Sequence, residues 1–572
     1  MTCTKFKLTT VAALVLAATN ANAALYKVVE VDSPVSGNEV HGVAIQDSSN
    51  STLGTLGCFE ENATASECEG YLLAGESVNG VEGISHREEV PFGLDNSFFY
   101  AQIDDSSDYL RRYCNSYLGF DNCDTDDGWG DQYWNAYQRE RNGEPNYKSF
   151  VEGSGQIEAS NLNTVVNSLD SSGQAIGNTS TSVVQRNQAF PTVTIGGDVS
   201  TTPVQSRAWA SEGAFTVGSV STSYTNDNDS TVPFSTYTTK GAIWDGTQTQ
   251  LLNWDANAKD EEDELLAQGS IRDLTVAPSK IYAVGFNTYD EQHMNATVFH
   301  SSGNTLPTSW SSAVIQGAQV EIGGDDIHAN SKATSINSHL NILGEAKHYN
   351  NAVADNGAFP DKIFVATYTG DGNGNDTWSS AQYLNDSSQS IFFKGAGGKA
   401  GAINNYNEIV GQIDSETIRE SNGRERRHRG FIYPYQATGT EDSRIALFES
   451  KAWWLDDLTN DGNADGNNNK FRVIDATDIN DAGVISGTAI RCTVNGVPQP
   501  YDTTSHNSYC GNAGDGATEE IVAVKLIPIS DKNTRSIQTR GIDSEKIDRQ
   551  GGSLGWLGLT VLGLLGFRRK FK

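Results

Sequence analysis

The sharpest chemical spacing in this sequence is Asp461-Gly-Asn463-Ala-Asp465-Gly466. Oxygen-bearing side chains at alternate positions converge in a tight turn, the way a loop gathers hard ligands for Ca²⁺, and Gly466 is free to take φ > 0. The twelfth position is Arg472 rather than Glu, which excludes a complete helix-loop-helix site. The segment reads either as a calcium-binding turn that borrows ligands from another loop or as a polar hairpin tip. Asp371-Gly-Asn373-Gly-Asn375-Asp376 is a looser second case, with Asp where the turn Gly belongs. Calcium is the only cofactor these spacings suggest.

Catalytic spacings are few. The sequence has no His-Glu-x-x-His and no phosphate-binding Gly loop, and Gly-x-Ser-x-Gly occurs only as Gly551-Gly-Ser553-Leu-Gly555 at the start of the C-terminal tail. The nine His are scattered, and His293 and His300 flank a strand without metal-ligand spacing. Carboxylates are so numerous that no glycosidase pair can be picked out. Trp453-Trp454 and the Tyr/Trp set between 113 and 137 could stack on sugars, although tryptophans on repeat strands are more often blade core.

Cysteines point to an oxidising compartment. Cys3 lies in a leader, which leaves Cys58, Cys68, Cys114, Cys123, Cys492 and Cys510. Proximity pairs them 58–68, 114–123 and 492–510, three local staples on long loops. The leader has Lys5 and Lys7, an apolar run over 8–18 and the small-residue site Ala21-Asn-Ala23, so signal peptidase is expected to cut after Ala23. At the other end a polar linker, 533–550, leads to Gly551-Gly552, an apolar run over 554–567 and the basic close Arg568-Arg-Lys-Phe-Lys572. That run is marginal for a full span, and its basic end would stay cytoplasmic. Without leader and tail, 34 Lys and Arg face 72 Asp and Glu, a net charge of −38. A surface this acidic excludes nucleic acid as a partner and favours solubility and divalent cations. The one basic island, Arg419 to Arg429, reads as a solvated hairpin tip.

The elements that must position these residues come from a repeat. Ala333-Thr-Ser-Ile336-Asn337 with Ile342-Leu-Gly344 returns as Ala400-Gly-Ala-Ile403-Asn404 with Ile409-Val-Gly411, and again as Ala476-Thr-Asp-Ile479-Asn480 with Ile485-Ser-Gly487. Ala and Ile face a core, Asn begins a tight turn, and Gly marks a bend or a close approach in the second strand. Weaker copies end at Gly218 and Gly285 without the Ile-Asn pair, so the Gly intervals are 67, 59, 67 and 76 residues. Each unit goes on to an apolar strand, such as Lys362-Ile-Phe-Val365 or Gly430-Phe-Ile-Tyr433, and some add a Trp-bearing fourth. Four short strands are the content of one propeller blade, and such a unit must stack on neighbours. Helical periodicity is poor, the best candidate being the acidic segment 256–269. Residues 32–200 are the least regular part, and 154–206 reads as exposed strands or a flexible joint.

The fold expected is therefore all-β: a propeller-like array of about six to eight blades with a disulfide-stapled N-terminal insertion. Tandem β-sandwiches or an open solenoid are the alternatives. Its parts are a signal peptide (1–23), first blades plus the Cys-containing insertion (24–203), the repeat region (204–532), the linker and the tail. The alternating strands 26–31 and 521–526 are expected to lie side by side and close the ring.

The repeat resembles the HAF family of extracellular repeats, clearly from 204 to 530, and the whole chain resembles exported proteobacterial proteins of unknown function built on them. The last 22 residues resemble the GlyGly-CTERM sorting signal. That resemblance implies export in a Gram-negative bacterium and transient anchoring in the inner membrane. It also implies cutting near Gly551-Gly552 by a rhomboid-type sorting protease (rhombosortase), with transfer to the cell surface or release. Neither resemblance brings catalytic residues. Two functions stay open: a non-enzymatic module that binds a glycan, matrix component or protein, and a secreted polysaccharide hydrolase or lyase with carboxylates in the propeller funnel.

Overall fold

Seven antiparallel blade sheets follow one another along the described chain, six of them simple meanders and the seventh completed by the N-terminal strand, with one small two-stranded hairpin besides. The computed structural model describes residues 24–79 and 143–541, with isolated positions between 108 and 135. Within those spans it leaves out 50, 183, 194–203, 226–235, 263–264, 320–329, 348–360, 371–374, 420–425, 464–465, 502–509 and 511–515.

Blade 1 comprises Glu39–Ile45, Leu73–Val78, Tyr147–Val151 and Gly155–Gln156. Blade 2 has three strands among the described residues, Asn163–Leu169, Ala175–Ser180 and Gln188–Phe190. Blade 3 is Ser206–Glu212, Phe215–Thr225, Thr236–Trp244 and Thr249–Leu251, and blade 4 is Ser270–Val276, Ile281–Thr288, Met294–Ser301 and Trp310–Val314. Blade 5 is Ser331–Ile336, Ile342–Lys347, Asp361–Ala366 and Gln382–Tyr383, and blade 6 is Gly398–Ile403, Glu408–Arg419, Arg426–Pro434 and Trp453–Trp454. Blade 7 takes Phe471–Ile479, Ile485–Val494 and Ala517–Pro528 from the C-terminal part and its outer strand, Tyr26–Glu30, from the N-terminus. Tyr26 pairs with Pro528 and Glu30 with Val524, which is the expected closure.

The first strand of each blade touches the first strand of the next, and that of blade 7 touches that of blade 1. The structure is thus a closed seven-bladed propeller with the first strands innermost. Its apolar core lies in the seams between blades. Ala333, Ile336 and Ile342 pack with Val284 and Val298 between blades 4 and 5, and Ile403 and Ile409 pack with Leu343 and Val365 between blades 5 and 6. Sheets that cannot bury both faces alone bury them against each other.

The repeated glycine has a physical cause that operates in every blade. Gly75, Gly177, Gly218, Gly285, Gly344, Gly411 and Gly487 each stand in the second strand opposite a residue next to a β-bulge in the first. A Cβ there would strike the facing carbonyl of Val165, Arg207, Ser270, Lys332, Lys399 or Asp475, or, at Gly75, the Phe150 ring. Close approach, not positive φ, is what selects glycine here.

Several expectations need correction. Within 154–206 lies blade 2, with Val165, Val166 and Ile176 buried. Its bulge and turn, Val166-Asn-Ser-Leu169-Asp170, are a degenerate copy of the repeat. The helix expected over 256–269 is a small hairpin, Glu261–Glu262 against Leu265–Leu266. Leu266 and Ala267, adjacent in sequence, are buried, and the apolar residues of the segment form no helical stripe. Of the basic island, Arg427 and Arg429 are buried, beside Glu416 and Asp456. The first part of the expected linker, 533–541, is docked on the propeller, and the rest of it lies outside the described residues. The leader and the tail, with Ala23, Gly551 and Gly552, lie outside the described residues. Among the described residues no helix is long and apolar enough to cross a membrane.

Candidate functional site

Around the inner ring the repeat motif performs three bonding tasks, all directed at the next blade. The Asn after Ile uses its Oδ1 to accept from the turn, as when Asn337 takes the N–H of His339 and Asn341. Its Nδ2 then donates to the matching carbonyl one blade on: Asn337 to Asn404 at 2.9 Å, Asn404 to Asn480 at 3.3 Å and Asn480 to Gln46 at 2.9 Å. The residue before Ile, or before Leu274 in blade 4, accepts from the next blade's backbone: Asp273 from Ile336 at 2.9 Å, Ser335 from Ile403 at 3.4 Å and Asp478 from Ile45 at 3.0 Å. The residue after Asn repeats the move, Ser338 donating to Asn405 and Asn405 to Asp481.

These ladders bring carboxylates to the end of the ring where first strands turn into second strands. Burial pushes the Asp273 carboxyl up to about 7, with Glu212 adding to the rise against three hydrogen bonds that oppose it. Glu212 and Asp481 are raised by burial too, with Asp47 contributing to both. Asp478 is raised to about 6, again mainly by burial. Deeper in the ring, burial raises Asp475 to about 6 while Lys399 and His41 pull it back. The bulges add further side chains at the inner wall: Arg272 lies 3.6 Å over the Trp209 ring, and Asn167 and Thr477 bond to carbonyls of the next blade. Carboxylates in the ring are chiefly mortar between blades.

A second buried polar centre sits between blades 6 and 7. Arg444 and Glu408 form a fully buried ion pair in which Nε donates to Oε1 at 2.8 Å and Nη2 to Oε2. Arg444 Nη1 reaches the carbonyls of Thr55 and Asp481, and its guanidinium lies 4.6 Å from the Tyr406 ring. It pins blade 6 to blade 7 and to the insertion in blade 1.

The residues singled out in the sequence are dispersed. Asp461 Oδ1 accepts from Asn463 N at 2.9 Å and Asn469 Nδ2 at 3.0 Å, while Oδ2 lies against Gly466. Positive φ falls on Gly462, at 68°, so Gly466 serves close approach instead. Asp465 lies outside the described residues, as do Asp371 and Asn373. Asn375 is exposed and its neighbour Asp376 turns inward. Asp376 accepts from Lys280 Nζ at 2.5 Å and from the hydroxyls of Tyr368 and Tyr282, with His300 Nδ1 3.6 Å away. Among the described residues no three His, Cys, Asp or Glu side chains converge as metal ligands.

Cys58–Cys68 and Cys492–Cys510 are disulfides. Cys123 is disulfide-bonded, and Cys114 lies outside the described residues. Trp454 is buried in the seam between blades 5 and 6, while Trp453 packs at that between blades 6 and 7 with Nε1 donating to Phe448 O.

The site residues that sequence reading passed over are Glu212, Asp273, Asp475, Asp478 and the Glu408–Arg444 pair. The available signal was the polar residue directly before the repeated Ile, Ser335 and Asp478.

The sequence model described as "Protein of unknown function (DUF3466)" matches residues 216–570, more than half of the sequence. The protein belongs to the DUF3466 family. The match begins in the second strand of blade 3, so blades 1 and 2 precede the matched region. No curated protein matches the sequence. Among solved structures, a component of a complex of BT0996 and RGII is similar at 11% identity and a TM-score of 0.24, with 60% of this protein and 91% of that component covered. A glycosyl hydrolase from Bacteroides ovatus is similar at 11% identity and 0.21, covering 40% and 66%. A glycoside hydrolase is similar at 9% identity and 0.24, covering 61% and 91%. At such scores these likenesses carry no argument about this DUF3466 protein.

Proposed function

We propose that the protein is an exported, non-enzymatic binding module that takes a surface glycan through the loops at one end of the ring. The observation that carries this reading is how the inner carboxylates are used. Asp273, Asp478, Asp481 and Glu345 each accept a backbone N–H from a neighbouring blade. Glycoside hydrolysis asks for two carboxyl groups that face a substrate, and these hold the ring together instead.

Loop placement supports the same reading. In a meander the second-to-third connections all leave from one end, and the longest in the ring, 79–146, is among them. That segment carries twelve aromatic residues and fourteen Asp and Glu against five Arg, a net charge of −9. Aromatic faces suit stacking on sugars, and a rigid scaffold with long loops is how propellers commonly bind.

One observation favours the hydrolytic reading. A carboxyl raised to about 7, as at Asp273, is partly protonated at neutral pH, as a general acid must be. Mature protein applied to a glycan array and to chromogenic polysaccharides separates the two. Binding that Trp129→Ala weakens, without turnover, is the expected result. Turnover that Asp273→Asn removes would replace the binding reading with the hydrolytic one.

A further inference from the structure

After its last strand the polypeptide does not leave the propeller. Arg535 Nε donates to Ile529 O at 2.6 Å, and its Nη2 reaches Ser530 O and Phe59 O in the blade 1 insertion. Ile537 packs against the apolar seam that holds Tyr26, Val28, Phe59, Leu455 and Leu458. Asn460 Nδ2 donates to Gln538 O at 3.1 Å. Arg540, 5% exposed, ends the run. Its N–H goes to Asp457 Oδ1 at 2.7 Å, its Nε to Asp456 O at 3.0 Å and its Nη2 to Asn469 Oδ1.

We propose that residues 531–541 are a latch on the ring closure, fastening the closing sheet and the blade 1 insertion to the connection between blades 6 and 7. The closing strand Tyr26–Glu30 is short and joins the same three parts: it pairs with blade 7, packs on Phe59, and reaches the connection through Leu25 N to Leu458 O at 2.8 Å. A strand at a sheet edge that spans five residues opens more easily than an internal one, and a second strap across the same parts opposes that. The charges around Arg540 also show a fastening that works against resistance. Arg472 and Arg429 stand in the same cluster with Asp456; burial lowers the proton affinity of Arg472 most, Arg540 lowers it further, and Asp456 opposes both. Hydrogen-bond geometry therefore holds the third guanidinium there against like-charge repulsion. The docked run reaches Gly541, the last described residue, and a cut that releases the protein from its tail leaves the latch in place only if it falls beyond that residue.

Hydrogen exchange on the full chain, on a chain ended after Gly541 and on one ended after Ser530 tests the latch. The chain ended at Gly541 should exchange like the full one. Loss of the latch should speed exchange at Val29 and Val522–Leu526 by at least about tenfold and leave Ile281–Thr288 of blade 4 unchanged. Should the shorter chain fail to fold, Arg540→Ala in the full chain gives the same local reading, and Arg540→Lys, lacking the planar fork, should recover only part of the protection. Equal acceleration in blades 4 and 7, or none in either variant, overturns the proposal.

Discussion

Single side chains in this ring carry bonds to two places at once, and this makes their removal costly. Asn404 holds its own turn by accepting from Tyr406 N and Glu408 N, and it donates to Asn480 O and to Glu408 Oε2. Leaving buried groups unmatched costs about 1–3 kcal/mol each. Asn404→Ala should therefore lower stability by about 2–4 kcal/mol in urea unfolding, whereas Ser338→Ala at an exposed position should stay within about 0.5 kcal/mol. The Glu408–Arg444 pair behaves differently. Glu408→Gln strands a buried guanidinium and should cost about 3–5 kcal/mol. A double change to Gln and Met should recover much of that loss, because the desolvation penalty leaves together with the attraction. Equal losses in the single and double variants would contradict this account.

At the scale of elements, the insertion in blade 1 shows how a long connection is kept on a repeat scaffold. Residues 47–72 stand where blades 5 to 7 have a turn of four or five residues. Cys58 and Cys68 sit in the seam that closes the ring, packed with Ile45, Val484 and Ala523. Closing a loop of ten residues removes unfolded-state entropy worth about 3 kcal/mol. Cys58→Ser with Cys68→Ser should lower the melting temperature by that equivalent, with limited proteolysis cutting first between 47 and 72. First cuts elsewhere would show that the staple is not what orders this connection.

Across the whole molecule the raised carboxyls make ring stability depend on pH. Asp273, Asp475 and Asp478 hold their protons more tightly folded than unfolded. The stabilisation from those protons is complete below about pH 4, the ordinary carboxyl range, and is lost as pH rises through about 6 to 7. General repulsion in a protein of net charge −32 works in the same direction. Asp245, lowered to about 2 by its bonds to Thr247 and Gln248, works in the opposite sense but only at strongly acid pH. The melting temperature should thus be higher at pH 5.5 than at pH 8, and Asp273→Asn should reduce the difference. A flat or rising profile between those values would show that water in the ring relieves the burial.

Periodicity in the sequence determined a great deal. Ala, Ile, Asn and Gly at fixed offsets specify a hairpin, and hairpins of this length must stack, so a repeat ring and its closing strands could be read directly. Cysteines near in sequence could be paired because their loops are short. Blades 1 and 2 were hidden because their copies keep geometry, not residue types: Asp170 does the work of Asn, and 26 residues separate Gln46 from its second strand. The glycine was legible as a close approach, yet the partner it approaches, a carbonyl beside a bulge, appears only once strands are paired. What tertiary structure alone decided was the use of the acids. Local spacing drew attention to Asp461, Asn463 and Asp465. Burial and the register between blades, which join residues 60 or more apart, gave Asp273 and Asp478 their bonds and their raised proton affinity.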